Sequence, residues 1–154
     1  VTRLDGTEVW FLHGKQHRAD GPAVTHNDGS QEWWRNGQLH REDGPAIMES
    51  GGTQEWHLNG VPHRADGPAI IRSDGVQQWW LNGVRHREDG PAVIEEQIMQ
   101  QWWIDGVLHR EDGPAIEYDD GDHEWYLGGA PTEESVVMDS EKRTEFLKNL
   151  AGLA

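Results

Sequence analysis

Three observations predict an all-β fold built as an elongated array of 23-residue β-hairpin repeats with a C-terminal capping α-helix. The heptapeptide H-R-[AE]-D-G-P-A occurs five times at a constant step of 23 residues. Between its copies a tryptophan precedes a glycine by four residues, at Trp10, Trp33, Trp56, Trp79, Trp102 and Trp125, paired with Gly14, Gly37, Gly60, Gly83, Gly106 and Gly129. The chain also holds 19 glycines and 7 prolines, many of them in turn dipeptides. A fixed period of 20 to 50 residues marks a repeat architecture, and short strands separated by Gly, Pro and Asn make each unit a β meander.

Residues 5–16 supply the second half of a unit, with a turn at Asp5-Gly6 and a strand over residues 8–12. Residues 1–4 align with residues 24–27, so the chain opens inside a repeat, as expected if repeats upstream were removed. One complete unit reads as three extended pieces, for example residues 30–35, 38–41 and 45–50. Asn36-Gly37, Asn59-Gly60, Asn82-Gly83 and Asp105-Gly106 are the dipeptides of a two-residue type I′ hairpin turn. Asp28-Gly29, Asp74-Gly75 and Asp120-Gly121 mark the second turn. Asp43-Gly44-Pro45 marks a corner, because proline lacks a backbone donor and disfavours helix in the residue before it. In the fourth unit Glu95-Glu96-Gln97-Ile98-Met99 offers no glycine where the others turn, which predicts a distorted loop.

Side chains alternate along the tryptophan strand. One face carries the unvarying tryptophan and, two residues on, Leu12, Leu58, Leu81, Ile104 or Leu127, with Arg35 as the exception. It reads as core, completed by Val24, Ile47, Ile70, Val93 and Ile116. The other face carries the changing aromatic Phe11, Trp34, His57, Trp80, Trp103 and Tyr126. It reads as the contact surface, because positions free to differ between copies can be shaped to a partner that has no 23-residue period. Trp34, His57, Trp80, Trp103 and Tyr126 are therefore the candidate binding residues. The repeats span residues 1–131. Residues 132–154 form the cap, with a helix expected over 132–151 from a start at Thr132 or Ser140.

The repeated polar groups form five triplets: His17, Arg18 and Asp20; His40, Arg41 and Asp43; His63, Arg64 and Asp66; His86, Arg87 and Asp89; His109, Arg110 and Asp112. Enzymes concentrate their chemistry in one place, so five copies read as a structural ladder. Arginine and aspartate are expected to pair, and histidine to bond backbone or a neighbouring rung. Histidine and aspartate three apart have no dedicated metal spacing, and neither nucleotide-binding nor hydrolase signatures occur. No catalytic residue, metal or cofactor is expected.

The net charge of -15 disfavours nucleic acid and anionic membranes as partners. Residues 1–94 hold 13 acidic and 9 basic groups, net -4, whereas residues 95–154 hold 15 and 4, net -11, so a basic partner should favour the C-terminal end. With no cysteine, no signal peptide and no apolar run long enough for a span, a cytoplasmic location is expected.

The spacing Trp-x-Asn-Gly-x-x-His, as at Trp34, Gly37 and His40, resembles that of MORN repeats and their bacterial variants. The resemblance covers residues 1–131, with Arg41-Glu42-Asp43-Gly44-Pro45 replacing the family's short glycine step. It implies chains of β-hairpins acting as interaction scaffolds, some of them antitoxins. Arrays of the H-R-x-D-G-P-A type also look like proteins of bacteriophages, bacteria and large viruses. The expected function is thus a non-enzymatic protein-binding scaffold, an inhibitor or antitoxin-like protein that sequesters its partner. The alternative is a small-ligand or glycan-binding aromatic module.

Overall fold

The computed structural model describes residues 1–152. Short antiparallel strands build nearly all of it, with two helices at the C-terminus. The chain divides into two compact units, Val1–Gly83 and Val84–Ala154. In the first, strands Glu8–Val9, Val24–Thr25, Gln31–Glu32, Ile47–Met48, Gln54–Glu55, Ile70–Ile71 and Gln77–Gln78 pair antiparallel in chain order. The second repeats the pattern with Val93–Glu95, Met99–Gln101, Ile116–Tyr118, His123–Leu127 and Ala130–Thr132.

Small two-stranded hairpins branch from these ladders, such as Trp34–Arg35 with Gln38–Leu39 and Trp103–Ile104 with Val107–Leu108. Their two-residue turns need positive φ at both positions, which Asn59 at 52° and Gly60 at 87° supply. Each hairpin is clasped to the preceding unit at two points. In the second unit of sequence, Gly37 N donates to Gln16 O at 2.8 Å and Arg18 N donates to Trp34 O at 3.1 Å. The same pair of bonds recurs at Gly60 with Leu39 and at Arg41 with His57. The fourth repeat has the distorted loop that its missing glycine implies. Its ladder runs one pair further, Glu95 opposite Met99, and the positive φ falls on Gln97 at 61° instead of on a glycine.

The register reassigns the faces of the tryptophan strand. Val24 stands directly opposite Glu32, and Ile47 opposite Glu32 and Glu55. Directly opposed residues share a face, and Glu32 also shares one with Trp34. The apolar row after the alanine therefore lies with the changing aromatics and not with the fixed tryptophans. Val24, Val93 and Ile116 are buried there, as is His57 at 7 % exposure. The fixed tryptophans are half-buried, and Trp10 is exposed. What they cover is alanine: Ala23, Ala46, Ala69, Ala92 and Ala115 are each 0 % exposed. Trp33 N donates to Ala46 O and Trp56 N to Ala69 O, both at 2.7 Å, so the alanines alternate with tryptophans across the ladder. Only a small side chain fits between two indoles at strand spacing.

The C-terminal segment departs from a single helix. Ala130–Thr132 is a strand, and two helices follow, α1 at Glu134–Val137 and α2 at Ser140–Gly152. Neither Thr132 nor Ser140 caps α2: Asp139 Oδ1 accepts from the backbone of Glu141 at 2.9 Å and of Lys142 at 3.1 Å. Among the described residues no helix is long and apolar enough to cross a membrane.

Candidate functional site

The five triplets make one repeated construction. Arginine Nε donates to the aspartate two residues on, at 3.2 Å for Arg18, 2.9 Å for Arg41, Arg64 and Arg110, and 2.8 Å for Arg87. Nη1 donates to the carbonyl of the proline four residues on, at 3.2 Å in Arg41, Arg64 and Arg87. The guanidinium plane lies over the fixed indole, 4.5 Å from Trp10 for Arg18, 4.0 Å from Trp33 for Arg41, 4.1 Å from Trp56 for Arg64 and 3.8 Å from Trp102 for Arg110. Its other side meets the motif glycine, where an added Cβ would stand 3.1 Å from Arg18 Cζ at Gly21 and 2.6 Å from Arg110 Cζ at Gly113. Arginine is thus held between an indole and a glycine. The arginine, aspartate and glycine of the motif are accounted for by that stack, and the alanine by its complete burial.

The histidine bonds the next unit. Gly128 N donates to His109 Nδ1 at 2.9 Å, and the backbone N–H groups of Asn36, Asn59 and Asn82 donate likewise to His17, His40 and His63 at 3.1 Å. Asp105 N donates to His86 at 3.2 Å, with the Asp105 carboxylate also 3.0 Å from the same nitrogen. Nε2 of the ring faces the glutamate third in the motif where one is present. There Glu42 lies 3.3 Å from His40 and Glu111 lies 3.5 Å from His109. No group of three or more potential metal ligands occurs among the described residues.

The arginine bonds hold the carboxyls of Asp43, Asp66 and Asp89 below their ordinary value of 3.8, with the side-chain hydrogen bond as the largest cause and the arginine charge next. A carboxylate whose folded pKa is lowered stabilises the fold above its unfolded value and loses that contribution as pH falls through the folded value. Carboxyl carbon NMR should therefore show these three midpoints below 3.8, and Asp66 should return to the ordinary range in an Arg64→Ala variant. An Asp66 midpoint that ignores this change would refute the pairing.

The candidate binding residues are tied inward. Trp34 Nε1 donates to Glu32 at 2.6 Å, Trp80 to Gln78 at 3.0 Å and Trp103 to Gln101 at 3.0 Å, while Tyr126 OH donates to Glu124 at 3.0 Å. His57 Nε2 lies 2.9 Å from Glu55. The hydrogen bond to Glu124, and then burial, raise the Tyr126 hydroxyl above its ordinary 10.0. Trp34, Trp80, Trp103 and Tyr126 are half-buried. The partner row Glu32, Glu55, Gln78, Gln101 and Glu124 was legible as a covariation: where the aromatic is Phe11, with no polar tip, the residue two before it is Val9.

Open clefts lie instead between successive motifs, on the fixed-tryptophan side. One is lined by Arg18, Asp20, Trp33, Arg35, Arg41 and Glu42. A second is lined by Glu42, Asp43, Trp56, Leu58, His63 and Arg64, and a third by Glu88, Asp89, Trp102, Ile104, His109 and Arg110. The second and third enclose about 620 and 710 Å³, room for side chains and not just water. The second and third have an aromatic and aliphatic floor under a rim of carboxylates. Comparison with protein-family models, curated proteins and solved structures returned no match for this chain.

Proposed function

We propose that this chain is a non-enzymatic repeat scaffold that docks a basic protein through the clefts between its motifs. The observation that supports this most is their repetition: Trp56 with Leu58 and Trp102 with Ile104 form the same floor beneath the same acidic rim, two 23-residue repeats apart in sequence. Equivalent sites carried on one chain let several weak contacts act together. The net charge of -15 favours a basic partner and speeds its approach at low salt. Small-ligand or glycan stacking is less well supported, because one face of each of Trp33, Trp56 and Trp102 is already covered by arginine. The MORN-like resemblance extends the reading to an inhibitor or antitoxin-like protein that sequesters its partner.

The test is capture by the immobilised chain with Leu58→Arg and Ile104→Arg. Arginine is compatible with this position, since Arg35 occupies it in the second unit. Capture should fall at least about tenfold, a loss of about 1.4 kcal/mol, while the urea midpoint changes little. Undiminished capture by this pair, with capture lost in a folded Trp80→Ala, Trp103→Ala pair, would place the site on the opposite face.

A further inference from the structure

The fifth motif shows what such a cleft accepts. Its cleft would be floored by Trp125 and Leu127, at the positions of Trp56 and Leu58. Here Leu127 is fully buried and so is Val137 of α1, which packs on the strand His123–Leu127. Gly113 is buried as well, whereas Gly21, Gly44, Gly67 and Gly90 are only half-buried. From α2, Arg143 Nη1 donates to Glu111 O at 2.8 Å and to Val137 O at 2.6 Å, and its Nε lies 3.5 Å from the Glu111 carboxylate. Leu150 and Leu147 approach Gly128 at the hairpin turn. The chain has laid a helical segment, carrying one arginine beside apolar side chains, onto its own last motif.

Two features of that contact recur in open clefts: a glutamate third in the motif and an aliphatic residue two after the fixed tryptophan. Glu42 with Leu58 and Glu88 with Ile104 supply both. The first cleft supplies neither, because Ala19 and Arg35 stand at those positions and Arg35 would repel a cation. Glu42 and Glu88 are solvent-exposed, with 73 % and 86 % of the side chain open to water.

We propose that the Glu42–Leu58 and Glu88–Ile104 clefts each bind a helical peptide segment presenting an arginine flanked by apolar residues, in the manner of α1 and α2 on the fifth motif. This occupant rests on the scaffold reading above and specifies it. Arginine bonds the glutamate carboxylate and its backbone carbonyl, and the apolar side chains cover the aliphatic floor. Lysine would serve less well, since a planar fork can reach both oxygens at once.

The probe is a fluorescein-labelled peptide of residues 134–152 carrying Glu134→Gln, Glu141→Gln and Glu145→Gln, which makes it cationic, titrated with the full chain by anisotropy. Saturable binding at two peptides per chain is expected, weakened at least tenfold by Arg143→Ala in the peptide and by Glu42→Gln with Glu88→Gln in the protein. Ala19→Glu with Arg35→Leu should add a third site. Absence of saturable binding, indifference to Arg143→Ala, or loss only on Glu111→Gln, which means exchange with the chain's own helix, overturns the proposal. If the peptide fails but Leu58→Arg with Ile104→Arg still abolishes capture of a protein partner, this occupant is wrong and the scaffold reading stands. If neither depends on the clefts, both fall.

Discussion

Replacing Leu127 by alanine should destabilise the protein by about 2–5 kcal/mol, the range for deleting most of a fully buried aliphatic side chain. Leu127 is 0 % exposed, among the largest completely buried side chains of a chain whose other buried apolar residues, among those described, are alanine, valine and isoleucine. Val137 is equally buried, and α1 packs on the strand that carries Leu127, so a cavity there also undermines the cap. In a repeat array each unit is stabilised chiefly by its neighbours, and the terminal unit has only one. The control is Leu58→Ala. Leu58 holds the same place in the repeat but is half-buried at the floor of an open cleft, so its loss should cost distinctly less. Urea melts of the two variants decide the matter: equal destabilisation means that the helices do not close the last motif.

Much of this architecture is legible in the sequence, for reasons that can be named residue by residue. Asn36-Gly37 and its counterparts demand positive φ at two successive positions, which only a few residue pairs tolerate, so the hairpins could be placed to the residue. The Arg-x-Asp spacing allowed an ion pair, and the two side chains meet at every motif. The faces were not legible, because register is not written in alternation alone and a shift of one residue exchanges them. Trp33 hides the register. Its N–H bonds Ala46 of the ladder while its carbonyl accepts from His40 of the branching hairpin, so the strand changes partner at that residue. Residues on either side of it obey two different pairings. The pairing of Trp34 with Glu32 and of Phe11 beside Val9 was available as a signal, since a polar-tipped aromatic needs an acceptor when half-buried and phenylalanine does not.

The clefts escaped the sequence reading for a related reason. In the sequence, identity across copies reads as the mark of structure and difference as the mark of binding. Trp56 stands beside Ala69 in the ladder and also floors an open cleft. Variation that bears on the proposed docking sits beside the invariant residues, in the choice of alanine or glutamate at positions 19, 42, 65, 88 and 111 and of arginine, leucine or isoleucine at 35, 58, 81, 104 and 127.

Gly113→Ala should cost about 2 kcal/mol through Arg110, although the glycine has no unusual backbone conformation. Gly113 is absent from the positive-φ residues, so strain there cannot explain its recurrence. The reason is steric: a Cβ would stand 2.6 Å from Arg110 Cζ and 2.8 Å from Nε, and the indole of Trp102, 3.8 Å away on the other side, blocks retreat. Displacing the guanidinium sacrifices the stack, worth roughly 0.5–2 kcal/mol, and disturbs the bonds to Asp112, to Pro114 O and to Glu117, the last at 2.6 Å. The Asp112 partner is largely exposed, so little is assigned to that pair. A double-mutant cycle isolates the mechanism. Once Arg110→Ala has removed the side chain, Gly113→Ala has nothing to collide with, and its cost should drop to a few tenths of a kcal/mol. Full additivity of the two substitutions in urea melts would show that the glycine is required by the backbone, and the account of the R-x-D-G-P motif as a clamp on arginine would then fail.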